Sequence, residues 1–289
     1  MENIINVFQS DSQEVNEYYR NNPNFIIQFS QIDDPAVKRE SKPYCAIYFS
    51  SHDIYYPNHP EAFKKQLVDR NRFEWYGTRI EKAEKHIFVR DIKKQWYLNG
   101  INKELNSIEK LYEMLKVETK GYEVVTVGSS AGGYAAILFG QLLKAGSIFS
   151  FNGQTQLYDL LETSNESKNP IVFRKKYDSS VNSYFSLKKY ISSPENIFYF
   201  YSNKSDWDLI QYEHIKHLDM HFFGFKTSHH GIPFVKVSIP KVINLESEKL
   251  QSLAKESHSP IFFSVKLNGL RKVSLFLFKQ IKRKLRNRY

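Results

Sequence analysis

Residues 122–140, Tyr-Glu-Val-Val-Thr-Val-Gly-Ser-Ser-Ala-Gly-Gly-Tyr-Ala-Ala-Ile-Leu-Phe-Gly, read as a buried strand, a Gly-x-Ser-x-Gly turn and a small-residue helix. That succession is what a nucleophile elbow requires. Val124, Val125 and Val127 make the strand β-branched and apolar. Gly128 and Gly132 keep side chains out of a turn so sharp that a Cβ would strike the neighbouring backbone. Ser130 then stands at the tip, at a helix N-terminus whose partial positive charge favours a developing oxyanion. A dinucleotide loop does not fit, because Ser130 occupies a position that Gly-x-Gly-x-x-Gly reserves for glycine. A Walker loop does not fit either, since no Lys follows.

Strands and helices alternate on both sides of this segment. Residues 25–30, 44–49, 86–90, 147–152, 196–202 and 221–226 read as strands, the last closing the series. Residues 60–69, 103–117 and 207–217 read as helices, and Asp33, Asp34 and Pro35 mark a turn. Residues 155–193, rich in Ser, Asn and Lys, read as an irregular or helical insertion. The order predicts an α/β fold, a mainly parallel central sheet with helices on both faces. Chemistry in such sheets collects beyond the C-terminal strand ends, where loops 50–53, 91–100, 152–156, 202–208 and 227–231 converge.

A serine hydroxyl needs a base, and the base needs an acid to fix its tautomer. In this topology the chain order is Ser, then Asp or Glu, then His. The loop after 196–202 offers Asp206 and Asp208, and the loop after 221–226 offers His229 and His230. Asp208 and His230 are preferred; Asp206, which is also placed to cap a helix, and His229 are the alternatives. An oxyanion hole needs two backbone N–H groups, one from Ala131 and the other from Ser50 or Ser51. His214, His217 and His221 are spaced as metal ligands can be, but the stripe Ile210, Ile215 and Leu218 argues for a packed helix, and no metal is expected.

Charge is distributed unevenly over the 289 residues. Of the net +10, nine Lys and Arg follow the last acid, Glu256, which leaves about +1 for the rest. Leu270, Val273, Leu277, Ile281 and Leu285 line one helical stripe among them, widened by Phe276 and Phe278. A basic amphipathic helix over 266–289 is expected to meet an anionic membrane surface; the alternative is that Leu275–Phe278 packs on the body and only Lys282–Arg288 forms a solvated basic end, and no nucleic-acid motif accompanies it. The single cysteine, Cys45, excludes an intramolecular disulfide and a cysteine zinc cluster, and sits in an apparent strand as a small buried hydrophobe. The first residues lack the pattern of a signal peptide, and no run reaches the roughly 18 apolar residues of a membrane span. A cytoplasmic protein, peripheral at the inner face of the membrane, is the resulting expectation. The domain reading is a catalytic unit over 1–260 and a basic tail over 261–289.

These residues resemble those of the α/β-hydrolase fold. More narrowly, the chain resembles serine acyltransferase/esterase-like proteins of bacterial capsule and surface-polysaccharide biosynthesis, the capsular polysaccharide O-acetyltransferase type. Phe88-Val-Arg-Asp91 with Trp96-Tyr97 and Gly100, Gly128–Gly140, Phe151-Asn-Gly-Gln-Thr-Gln156, and Asp208 with His230-Gly231 carry the resemblance. It spans about residues 40–235 and departs from the pattern at Gly153, where a Pro is expected, and at Ala131, where a bulkier residue is. The resemblance implies transfer of acetyl from acetyl-CoA, through an acyl-serine, to a hydroxyl of a polysaccharide or glycan precursor, with no permanently bound cofactor. An esterase or deacetylase using water as acceptor is the alternative, and a non-catalytic glycan-assembly scaffold a third. Tyr55-Tyr56, Trp75-Tyr76 and above all Trp96-Tyr97, with Gln154, are the candidate acceptor-binding residues, although aromatic pairs serve equally as core.

Overall fold

The computed structural model describes residues 6–30, 42–163 and 165–286. The turn expected at Asp33–Pro35 lies outside them. Among the described residues, eight strands form one sheet in the order β1-β3-β2-β4-β5-β6-β7-β8. They are β1 (Phe25–Phe29), β2 (Tyr44–Phe49), β3 (Ala83–Val89), β4 (Glu123–Ser129), β5 (Ser147–Phe151), β6 (Ile197–Ser202), β7 (His221–Phe225) and β8 (Lys255–His258). Only β1 runs antiparallel, against β3; every other pairing is parallel.

The central strands are apolar on both faces, as a sheet covered on both sides requires. Cys45, Ile47 and Phe49 of β2 point into one core with the elbow helix Ala131–Leu142 and helix Ile108–Glu118. Ala46 and Tyr48 point into the other, closed by Phe234, Val242, Leu250 and Phe263 from the C-terminal third. A third cluster joins Val15 and Tyr19 to Tyr55, Phe63 and Leu67. With a nucleophile turn between β4 and its helix, this is the α/β-hydrolase fold.

Element boundaries follow local chemistry. The helix expected at 103–117 starts only at Ile108, because the Ser107 hydroxyl accepts the N–H of Lys110 and fixes the N-terminus there. The segment 60–69 begins as α-helix and continues over Lys64–Val68 as a π-turn. β7 is not the last strand. Lys-Glu-Ser-His has no apolar alternation to betray it, yet Phe223 and Phe225 pair with Lys255 and His258 as an edge strand. The insertion contributes short helices Tyr158–Thr163, Pro170–Arg174 and Ser179–Asn182, and buries Val172, Phe185 and Leu187 against the sheet. At the C-terminus, helix Pro260–Asn268 buries Phe263, and the following helix Leu270–Arg286 is fastened to the body through Val273.

Candidate active site

The turn after β4 leaves no room for side chains. A Cβ on Gly128 would lie 1.9 Å from the Gly132 carbonyl oxygen, and one on Gly132 would lie 2.3 Å from that of Phe49. Ser130 itself is held at φ 54°, ψ −124°, a conformation rare for a side-chain-bearing residue, and so projects from the strand–helix junction. Gly153 has the same kind of explanation: a Cβ there would approach Gly133 backbone at 2.7 Å, so the departure from Pro permits helix and loop to touch.

Ser130, His230 and Asp208 meet at this point. His230 Nε2 is 2.9 Å from Ser130 Oγ, and His230 Nδ1 is 2.7 Å from Asp208 Oδ1. Asp208 is only 1% exposed, on the first turn of helix Asp206–Ile215. Ser205, not Asp206, caps that helix, its hydroxyl accepting the Asp208 N–H at 3.3 Å. Asp206 is exposed, and among the described residues no hydrogen bond or ion pair joins it to His229 or His230. His229 has no hydrogen bond to Ser130 among the described residues, and lines a groove with Phe276, Leu277 and Ile281 of helix Leu270–Arg286. Its pKa is lowered, first by burial, then by Lys236 and His230.

The histidine loop is fixed from below. The Asn152 amide donates to the carbonyl oxygens of Gly231 at 2.9 Å and His229 at 3.4 Å, the two residues flanking His230. The Ser202 hydroxyl donates to the same His229 carbonyl at 2.6 Å, and Asn152 Oδ1 accepts the Ser202 N–H at 2.8 Å. Asn152 is fully buried and sits at φ 45°, in the left-handed region that Asn tolerates better than most residues.

Neither Ser50 nor Ser51 has an N–H to offer an oxyanion. The Ser50 N–H bonds the Val89 carbonyl at 3.0 Å, continuing the β2–β3 ladder. The Ser51 N–H bonds Glu74 Oε2 at 2.7 Å, with the Ser51 hydroxyl on Oε1 at 3.0 Å. Burial raises the Glu74 pKa, while these Ser51 bonds and Arg72 oppose the shift. His52 is the next residue, and its N–H makes no hydrogen bond among the described residues. At the elbow, Ala131 opens its helix, where an N–H has no intrahelical partner. Of the N–H groups of Ser50, Ser51, His52 and Ala131, those of His52 and Ala131 are the two without a hydrogen-bond partner among the described residues.

The loop behind the site is strained and tightly wired. Lys94, Trp96 and Tyr97 all have positive φ, at 56°, 52° and 62°. The buried Asp91 carboxylate accepts the N–H groups of Lys93, Gln95 and Tyr97, which supports those conformations. Tyr97 is fully buried and donates its hydroxyl to the Ser50 carbonyl at 2.9 Å, so it braces the loop rather than forming a platform. Trp96 is also buried; its indole donates to Gln154 Oε1 at 3.0 Å and its ring meets His52 edge-on at 4.5 Å. Tyr55 is likewise packed, its hydroxyl on the Ile92 carbonyl, whereas Tyr56 and Tyr76 are exposed. Burial pushes the His52 pKa down to about 3, with Lys94 and His230 adding to the shift, so this imidazole is neutral. Lys94, bonded to the Tyr55 carbonyl and Asn58 Oδ1, is pushed down to about 7, again by burial.

One further aromatic borders the site. Trp207 is exposed, and its ring lies 6.1 Å from that of His230. The only sequence signal for it is its place directly before Asp208. Among the described residues, no group of three or more His, Cys, Asp or Glu could hold a metal ion; His214 bonds Ser186, and His221 stacks on Phe198 at the start of β7.

The sequence matches no protein-family model and no curated protein. Solved structures show likeness at low identity. A capsule O-acetyltransferase of Neisseria meningitidis serogroup A is 12% identical over 70% of this chain and 82% of its own, with a TM-score of 0.46. Esterase B from Lactobacillus rhamnosis is 11% identical over 91% and 89%, with a TM-score of 0.42. A 2,6-dihydroxy-pseudo-oxynicotine hydrolase is 10% identical over 82% and 66%, also at 0.42.

Proposed function

We propose that the protein is a serine O-acyltransferase that acylates a hydroxyl of a surface polysaccharide or its precursor, with acetyl-CoA as donor. The observation that carries the chemistry is the continuous path from Asp208 through His230 to Ser130, at 2.7 and 2.9 Å. Ser130 Oγ attacks the thioester carbonyl as His230 Nε2 takes its proton. The negative charge that forms on the carbonyl oxygen is met by the N–H groups of Ala131 and His52. Collapse expels the CoA thiol, which receives the proton from His230, and leaves an acyl-serine. His230 then deprotonates the sugar hydroxyl as it attacks the acyl carbon, and returns that proton to Ser130 as the ester is released. Asp208 holds His230 in the tautomer that presents Nε2 as acceptor and stabilises the imidazolium. The donor and the glycan class rest on the sequence resemblance.

Esterase activity has a specific observation in its favour. The His230 side chain is 38% exposed, so water reaches the base unless a bound acceptor displaces it. One experiment separates the readings: the purified protein is incubated with acetyl-labelled acetyl-CoA, with and without acceptor polysaccharide. Label passing to glycan supports transfer. Label released as acetate regardless of glycan identifies a hydrolase, and absence of any label on Ser130 overturns both.

A further inference from the structure

We propose that the outward flank of helix Leu270–Arg286 docks this protein on an anionic membrane surface. This inference does not depend on the chemistry of Ser130. The structure places most apolar residues of the helix in two sets; Leu275, 52% exposed, lies apart from both, among the cations. Val273 is 1% exposed and Phe276 and Leu277 are partly covered, which fixes the helix to the body. Leu270, Phe278, Ile281 and Leu285 are 71%, 55%, 57% and 53% exposed. At 3.6 residues per turn these four fall within an arc of about 80°. The adjoining arc carries Arg271, Lys282, Lys279 and Lys272, followed by Arg283. A helix packed on one side therefore shows solvent an apolar strip edged by cations.

The positive edge does not stop at the helix. Arg283 shares a groove with Arg70 and Arg72 of the body. No acid follows Glu256 in the sequence to neutralise the helix. Cationic charge alone would suit any polyanion, but a glycan or nucleic acid offers no apolar phase for four large side chains. A leaflet of anionic lipid offers both: headgroup charge for the cations and acyl chains for the strip. Ile261 and Phe262, 55% and 71% exposed, are further large apolar side chains open to solvent, on the preceding helix. Among the described residues no helix is long and apolar enough to cross a membrane, so the contact is a surface one.

Docking there would also bring the membrane close to the site. A groove of about 540 Å³ runs between this helix and residues 227–236, lined by Ile281 and Phe276 on one side and by His229, next to His230, on the other.

The test is flotation of the full chain with phosphatidylcholine vesicles, with and without phosphatidylglycerol. Point variants are used because deleting the helix would uncover Val273. The wild type is expected to float with the anionic vesicles only, and less as salt rises. Lys279→Glu with Lys282→Glu, and separately Phe278→Ser with Leu285→Ser, are each expected to lower partitioning about tenfold or more, with the unfolding midpoint unchanged. The proposal is overturned if the wild type does not float, if either pair floats as well as wild type, or if the protein binds soluble polyphosphate but not the vesicles.

Discussion

The amide of Asn152 is 2.9 Å from the carbonyl oxygen of Gly231, so a residue from the loop after β5 sets the height of His230. Its second bond, to His229, brackets His230 from the other side. Asn152→Asp keeps the shape, the tolerance for positive φ and the acceptor for the Ser202 N–H, but loses both donors. We expect kcat to fall about 10²-fold, the scale of a misplaced catalytic group, with KM nearly unchanged. Steady-state kinetics on a small ester check this. An Asn152→Asp enzyme with wild-type kcat would reduce the bracket to ordinary packing.

The elbow was legible because everything that forms it is local: β-branched residues before the turn, glycines at the two points of backbone contact, alanines after. That Asp208 and His230 come together beside Ser130 was legible because parallel topology fixes the order in which loops reach one sheet edge. The N–H groups of Ser50 and Ser51 are both engaged, Ser50 by the β2–β3 ladder and Ser51 for a long-range reason. Glu74 comes from more than twenty residues away to take the Ser51 N–H, and no local pattern announces a carboxylate folded under a loop. Trp96 and Tyr97 look alike in sequence to an exposed aromatic platform; what buries them is Asp91, whose carboxylate curls the chain through three left-handed residues. β8 was invisible because an edge strand of Lys-Glu-Ser-His needs only backbone pairing.

Removing the nucleophile gives a prediction distinct from removing its support. Ser130→Ala should abolish labelling by a fluorophosphonate and reduce turnover to what binding and the oxyanion donors alone provide. Asp208→Asn should leave the fold intact and lower kcat by about 10⁴, since the buried amide favours the wrong imidazole tautomer. The double variant should be no worse than Ser130→Ala, because the three side chains act as one unit. Additive losses in the double variant would contradict a single relay.

Trp207 stands exposed beside His230 and offers a flat face where an acceptor would approach Ser130. Trp207→Ala should raise KM for a glycan acceptor by roughly fivefold, the loss of about 1 kcal/mol of ring contact. Hydrolysis of a small ester, which has no sugar ring to stack, should hardly change. Equal losses on both substrates would show that Trp207 supports Asp208 rather than the acceptor.

Buried imidazoles make the fold sensitive to acid. Burial pushes His86 and His258 down to about 4; Arg79 adds to the shift at His86, and Lys255 and Lys266 add to it at His258. His86 lies between the hydroxyls of Tyr48 and Ser30, and His258 is held 2.9 Å from the Leu253 carbonyl, to which a neutral ring donates Nε2–H. Above the unfolded value of about 6.5 both states are neutral and no stability depends on pH through these rings. Below it the unfolded chain binds protons that the folded chain refuses until about pH 4, so stability falls as pH drops through that window. At pH 5 the loss is on the order of 2 kcal/mol for each ring. Glu74 and Asp91, whose pKa values burial raises, act in the opposite sense, so the comparison is made between variants. Urea unfolding at pH 8 and pH 5 should show a smaller difference for His258→Gln, whose amide still donates to Leu253, than for the wild type. An equal difference in both proteins would mean that His258 is protonated in the folded state at pH 5.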